Sequence, residues 1–238
     1  YYNVTGQFEV AGVSFPARYQ VVEADPVDEK KRLINEAHAQ GIADAVKGKP
    51  ARIVSAATAR KENHPPLPYN LLKLQTDASR KYGYKPDETL KITQGLYERK
   101  LVSYPRTDSC HLTSAISDEF MKMLKPIALI PELKATAEAV MKDAAVLTKI
   151  SKDKTYVDDK KVSDHYAITP TKMKPNLSQL SEKERNIYTL IAKRFLAIFL
   201  PPLVTNKTKI ITTVDGKHDF VSNGSVLVSK GFMELYKY

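Results

Sequence analysis

The apolar residues of this chain change period at two pairs of prolines, Pro65-Pro66 and Pro201-Pro202. A strand presents alternate residues to one face; a helix returns to a face every third or fourth residue. Proline lacks a backbone donor and has a fixed φ, so neither element runs smoothly through such a pair. Before the first pair, Val4, Gly6, Phe8 and Val10 alternate with Thr5, Gln7 and Glu9, and Gly12 separates them from Phe15, Ala17, Tyr19 and Val21. That pattern predicts a β-hairpin. Residues 28–47 place Leu33 with Ala37, and Ile34 with Ile42 and Val46, at helical spacing, with Gly48 as a stop. Ile53 to Ala59 return to an extended pattern.

Beyond His64-Pro65-Pro66-Leu67-Pro68 the pattern is helical. Leu71, Leu74, Ala78 and Tyr82 form one stripe ending at Gly83, and Leu90, Tyr97 and Leu101 form another that starts near Asp87 after Pro86. Thr113 is placed to cap a helix carrying Ile116, Phe120 and Leu124, and residues 133–148 predict a further one. The Lys- and Asp-rich stretch from Ser151 to Ser163 reads as a mobile surface loop. Glu182 to Phe199 predicts a strong helix stopped by Pro201-Pro202. After it, Thr205 to Val214 is β-branched, Asp215-Gly216 is a hairpin turn, and Val226 to Val228 is a further strand. The simplest architecture is α+β and multidomain. A helical domain of residues 66–200 is inserted into a β-rich domain whose halves are residues 1–65 and 201–238.

The 238 residues carry 37 Lys plus Arg against 27 Asp plus Glu, a formal net charge of +10. A surplus of cations favours polyanionic partners through counterion release, without saying which polyanion. No apolar run approaches the ~18 residues of a membrane span. The single cysteine, Cys110, excludes a disulfide within the chain and a Cys-rich zinc site, which favours a cytoplasmic protein. The opening Tyr1-Tyr2-Asn3-Val4 reads as a strand entered part-way, so an excised piece of a longer protein is expected.

The chemistry concentrates between Gln94 and Ser109. Tyr104 stands two residues before Arg106, among the hydroxyls of Ser103, Thr107 and Ser109, and Pro105 keeps a helix from passing through. A phenol ionises near about 10, so it attacks poorly unless its anion is stabilised. A guanidinium nearby lowers that barrier and neutralises charge on a phosphate under attack. Gln94 and Glu98 share one face of the helix that leads in. With 13 tyrosines in the chain, these residues alone do not single out Tyr104.

Two blocks do. Leu101-Val102-Ser103-Tyr104-Pro105-Arg106-Thr107-Asp108-Ser109 resembles the active-site signature of type IA DNA topoisomerases, and Asp164-His165-Tyr166-Ala167-Ile168-Thr169-Pro170-Thr171 resembles that family's second block. Pro105 and the form of the His165 block are more similar to the topoisomerase III branch. The resemblance implies that Tyr104 attacks a single-strand phosphodiester and forms a 5′-phosphotyrosyl link without ATP. It implies that Arg106 holds the scissile phosphate and that His165 contacts the backbone near the break. Gln94, Glu98, Ser103 and Asp108 match positions that support the site or touch DNA, with Asp108 set to cap the next turn or pair with Arg106. The implied fold is a winged-helix-like tyrosine domain inserted into a β arch, and the implied partner is DNA, preferentially single-stranded. The family also uses Mg2+, held by an acidic Toprim domain. The paired aspartates Asp158-Asp159 lie in the Lys-rich stretch and read as solvated, so neither a metal site nor relaxation by this chain alone is expected. A monomer is expected, completed by the Toprim and flanking gate domains of its parent. The alternative is a non-catalytic winged-helix-type DNA-binding module.

Overall fold

The computed structural model describes residues 1–236. Contacts divide them into a β unit, Tyr1–Glu62 with Val204–Ser229, and a helical unit, Asn63–Leu203 with the segment from Lys230 onward. The expected β segment of residues 201–238 is corrected at both ends. Pro201 and Pro202 belong to the helical unit, and so does a 3-10 turn at Gly231–Leu235. The turn buries Phe232 and Leu235 in the helical core, and the Phe232 N–H donates to the Pro201 carbonyl (2.9 Å). Lys237 and Tyr238 lie outside the described residues.

The β unit is one antiparallel sheet in the order β1-β2-β5-β4-β3. Its strands are β1 (Thr5–Val10), β2 (Val13–Tyr19), β3 (Ala51–Asn63), β4 (Leu203–Val214) and β5 (His218–Ser229). Turns with positive φ at Ala11-Gly12 and Asp215-Gly216 close its two hairpins. Phe220 is fully buried, with the rings of Phe8 and Tyr19 edge-on at 5.4 and 5.7 Å. Helix α1 (Glu36–Val46) adds Ala39 and Ile42 to that core. It starts later than its apolar period predicts. Asn35 caps it by accepting from the His38 N–H, and Leu33 instead makes single bridges with Tyr2 and Val27. The side chains of β3 are exposed along its whole length.

The helical unit packs around α8 (Glu182–Ala197), which buries eight residues, Tyr188, Ile191 and Phe195 among them. A capping box between Ser181 and Glu184 starts it. Helix α2 (Leu71–Tyr82) is capped by Asn70 and ends where Gly83 turns left-handed at φ 71°. Helix α3 (Pro86–Glu98) has proline at its first position. Its buried face is Thr89, Thr93 and Leu96, not the expected Leu90 and Tyr97. The helix expected from Thr113 is two, α4 (Ser114–Ser117) and α5 (Phe120–Ile127). The helix expected at 133–148 is also two. Asp143 ends α6 (Lys134–Lys142) and caps α7 (Ala144–Lys152) by accepting from the Val146 N–H.

The stretch from Ser151 to Ser163 is not a free loop. Tyr156 and Val157 are buried, and Val157 bridges Leu112. Asp159 accepts from the Ser114 N–H and the Asp158 N–H donates to the Leu112 carbonyl (2.9 Å), so the acidic pair ties this segment down.

Candidate active site

Four extended pieces of the helical unit meet around Tyr104. The Ser103 N–H donates to the Thr169 carbonyl (2.9 Å), and the Thr171 N–H to the Leu101 carbonyl (3.0 Å). The Ile168 N–H donates to the Tyr69 carbonyl (2.7 Å), and the Ala167 N–H to the His111 carbonyl (3.0 Å). Residues 167–171 thus pair with both flanks of the Tyr104 loop and with the entry to α2.

Two hydroxyls complete the join. Ser103 Oγ is buried, donates to the Ala167 carbonyl (2.9 Å) and accepts from the Thr169 N–H (2.9 Å). Thr107 Oγ1 donates to the His165 carbonyl (2.8 Å) and accepts from the Ser109 N–H (3.1 Å). Ser109 Oγ accepts from the His111 N–H and donates to the Lys161 carbonyl. Each small polar residue of the Tyr104 block therefore has a backbone partner.

Between these anchors Tyr104 is half-buried. The His165 ring lies 4.3 Å from its ring centroid at 43°, and the Tyr97 ring lies 5.4 Å away, edge-on at 76°. Tyr97 was placed by its period in an apolar core stripe, yet it is 38% exposed on the last turn of α3. No local signal distinguishes those outcomes, because the contact with Tyr104 depends on how the chain turns after α3. That turn is a Schellman-type closure. Lys100 sits at φ 61°, its N–H donates to the Tyr97 carbonyl (2.7 Å), and the Leu101 N–H reaches the Leu96 carbonyl (2.9 Å).

Arg106 is exposed and forms no ion pair among the described residues. Asp108, also exposed, neither pairs with it nor caps a turn; its backbone carbonyl accepts from Asn70 Nδ2 (3.2 Å). The guanidinium is left facing solvent beside the phenol's own loop, available to an anion. Gln94 and Glu98 do lie together, joined by a long contact from Gln94 Nε2 to Glu98 Oε1 (3.4 Å). Ser103, buried and twice bonded, is a clasp within the protein.

Beneath the loop, Arg194 of α8 pairs with Asp77, and its guanidinium lies 4.2 Å over the Tyr69 ring. The Tyr69 hydroxyl donates to the same carboxylate (2.8 Å). Burial pushes the Tyr69 hydroxyl well above its ordinary range. Burial, with the charge of Lys161, lowers the His111 pKa. Among the described residues no group of three or more His, Cys, Asp and Glu side chains could hold a metal ion, and no helix is long and apolar enough to cross a membrane.

A family model described as DNA topoisomerase matches residues 1–238. The DNA topoisomerase 3 of Bacillus licheniformis is 37% identical over 215 residues, which are 90% of this chain and 29% of that protein. The chain belongs to the type IA DNA topoisomerase family. The DNA topoisomerase 3 of Bacillus subtilis is 36% identical over 89% of the chain and 28% of its own length. The enzyme of that name from Staphylococcus saprophyticus is 38% identical over 83% and 27%. The chain therefore spans under a third of the length of these curated relatives. Full-length topoisomerase I from Thermotoga maritima shares the fold, with a TM-score of 0.62 at 20% identity, over 99% of this chain and 36% of that one.

Proposed function

We propose that this chain carries the strand-cleaving tyrosine of an ATP-independent type IA DNA topoisomerase, of the topoisomerase III branch. The observation that carries the reading is the Tyr104 ring held against His165, in a loop whose next cation, Arg106, has no protein partner among the described residues. On this reading the helical unit is the family's winged-helix-like tyrosine domain and the β unit is its arch.

The phenolic oxygen of Tyr104 attacks the phosphorus of a single-stranded phosphodiester. A P–O bond to tyrosine forms as the bond to the 3′ oxygen breaks. The phenolic proton leaves, and the departing 3′ oxygen gains one. Charge grows on the phosphate oxygens, and the planar Arg106 guanidinium binds two of them at once. His165, with its ring on the phenol, is placed to contact the same backbone. The exchange conserves one phosphodiester, so the 3′ hydroxyl reverses it without ATP. On this reading magnesium would be held by the acidic Toprim domain that the family carries, and would supply charge neutralisation at the phosphate.

The test is binding followed by cleavage. Fluorescence anisotropy with a labelled single strand and its duplex should show preference for the single strand, with affinity falling steeply as salt rises. In the full-length protein, Tyr104→Phe should retain that binding and form no covalent adduct. An adduct that survives Tyr104→Phe contradicts the reading.

A further inference from the structure

Tyr104 lies on a loop, half-buried, and a phenol that must reach phosphorus in line has to keep one ring orientation. Staggered rotamers offer it three. The backbone clasps at Ser103 and Thr107 fix the loop but not the ring. Two aromatic rings meet it among the described residues: His165 at 4.3 Å and Tyr97 at 5.4 Å, the latter edge-to-face at 76°.

Tyr97 has no evident structural occupation of its own. It is 38% exposed, and the core face of its helix is carried by Thr89, Thr93 and Leu96. Its hydroxyl makes no hydrogen bond among the described residues. The turn through Lys100 hydrogen-bonds back to Tyr97 itself, so the residue that meets the Tyr104 ring also anchors the chain's return toward it. Edge-to-face pairs are favourable and directional.

We propose that Tyr97 is a positioning residue for strand cleavage: its ring, in edge-to-face contact, acts with His165 to hold the Tyr104 phenol in its attacking orientation. This rests on Tyr104 being the nucleophile. The aromatic face is what matters, so phenylalanine should replace Tyr97 and alanine should not.

The experiment measures single-turnover adduct formation on a labelled single-stranded oligonucleotide, using the full-length protein. Tyr97→Ala should slow the step about threefold to tenfold, the range of one edge-to-face pair. Tyr97→Phe should restore the rate, while oligonucleotide affinity and the melting temperature stay unchanged in both. An unchanged rate in Tyr97→Ala overturns the proposal, as does a Tyr97→Phe protein as slow as Tyr97→Ala. A rate loss matched by lost affinity also overturns it, since Tyr97 would then be stacking on a base. Tyr97→Leu, which keeps bulk without a ring, should behave as alanine does and guards against a folding defect. Tyr104→Phe separates the two claims. If its adduct persists, the nucleophile is misassigned. If its adduct is lost while Tyr97→Ala cleaves at the normal rate, only the positioning role fails.

Discussion

Ser103 and Thr107 bracket Tyr104, and each both donates and accepts a hydrogen bond to backbone of the partner segment or its own loop. Removing the buried Ser103 hydroxyl strands a donor and an acceptor, so Ser103→Ala is expected to cost about 2 kcal/mol in urea denaturation of this chain. His111 gives a pH effect of defined sign. Its folded pKa is lowered by burial and by Lys161, so the unfolded chain binds the proton more readily. Stability from this group is complete above the ordinary histidine value of about 6.5 and is lost as pH falls below it. Melting temperature should drop between pH 7 and pH 5, and His111→Gln should reduce that drop. At this scale Tyr104, Arg106 and His165 were singled out by the two blocks that carry the resemblance, and the structure brings the Tyr104 and His165 rings together. Tyr97 was not, because helical period assigns a face and not its neighbour.

At the scale of elements, chain ends with local chemistry read well and interruptions read poorly. Helix α2 was legible from its stripe and from Gly83, whose φ of 71° suits a residue without Cβ. The split between α6 and α7 was hidden because Asp143 serves both helices, and the anchoring of Tyr156 and Val157 was masked by the charges around them. The strand order β1-β2-β5-β4-β3 depends on β5 pairing with both β2 and β4, which no local pattern specifies. Two substitutions probe the supports of the site. Lys100 occupies a left-handed position at φ 61° that favours glycine, so Lys100→Gly should raise stability by about 1 kcal/mol. Asp77→Ala leaves the Arg194 guanidinium buried without its carboxylate and should lower stability by about 3 kcal/mol. Both are read from denaturant midpoints.

For the molecule as a whole, the net charge of +10 favours polyanionic partners, of which DNA is the one proposed, while the chain spans 27–29% of the curated relatives compared above. On the proposed reading, this chain by itself should bind single strands and not relax supercoiled plasmid, which gel electrophoresis of the topoisomers checks. The central claim is that Tyr104 takes the 5′ phosphate of a broken strand. Its most direct test is the covalent adduct of the full-length protein on an oligonucleotide labelled at one end, denatured after incubation and mapped by peptide mass spectrometry. A 3′-end label should travel with the protein, a 5′-end label should be released on a shortened strand, and the phosphate mass should lie on the peptide containing Tyr104. An adduct of opposite polarity, or one mapped to another residue, would contradict it.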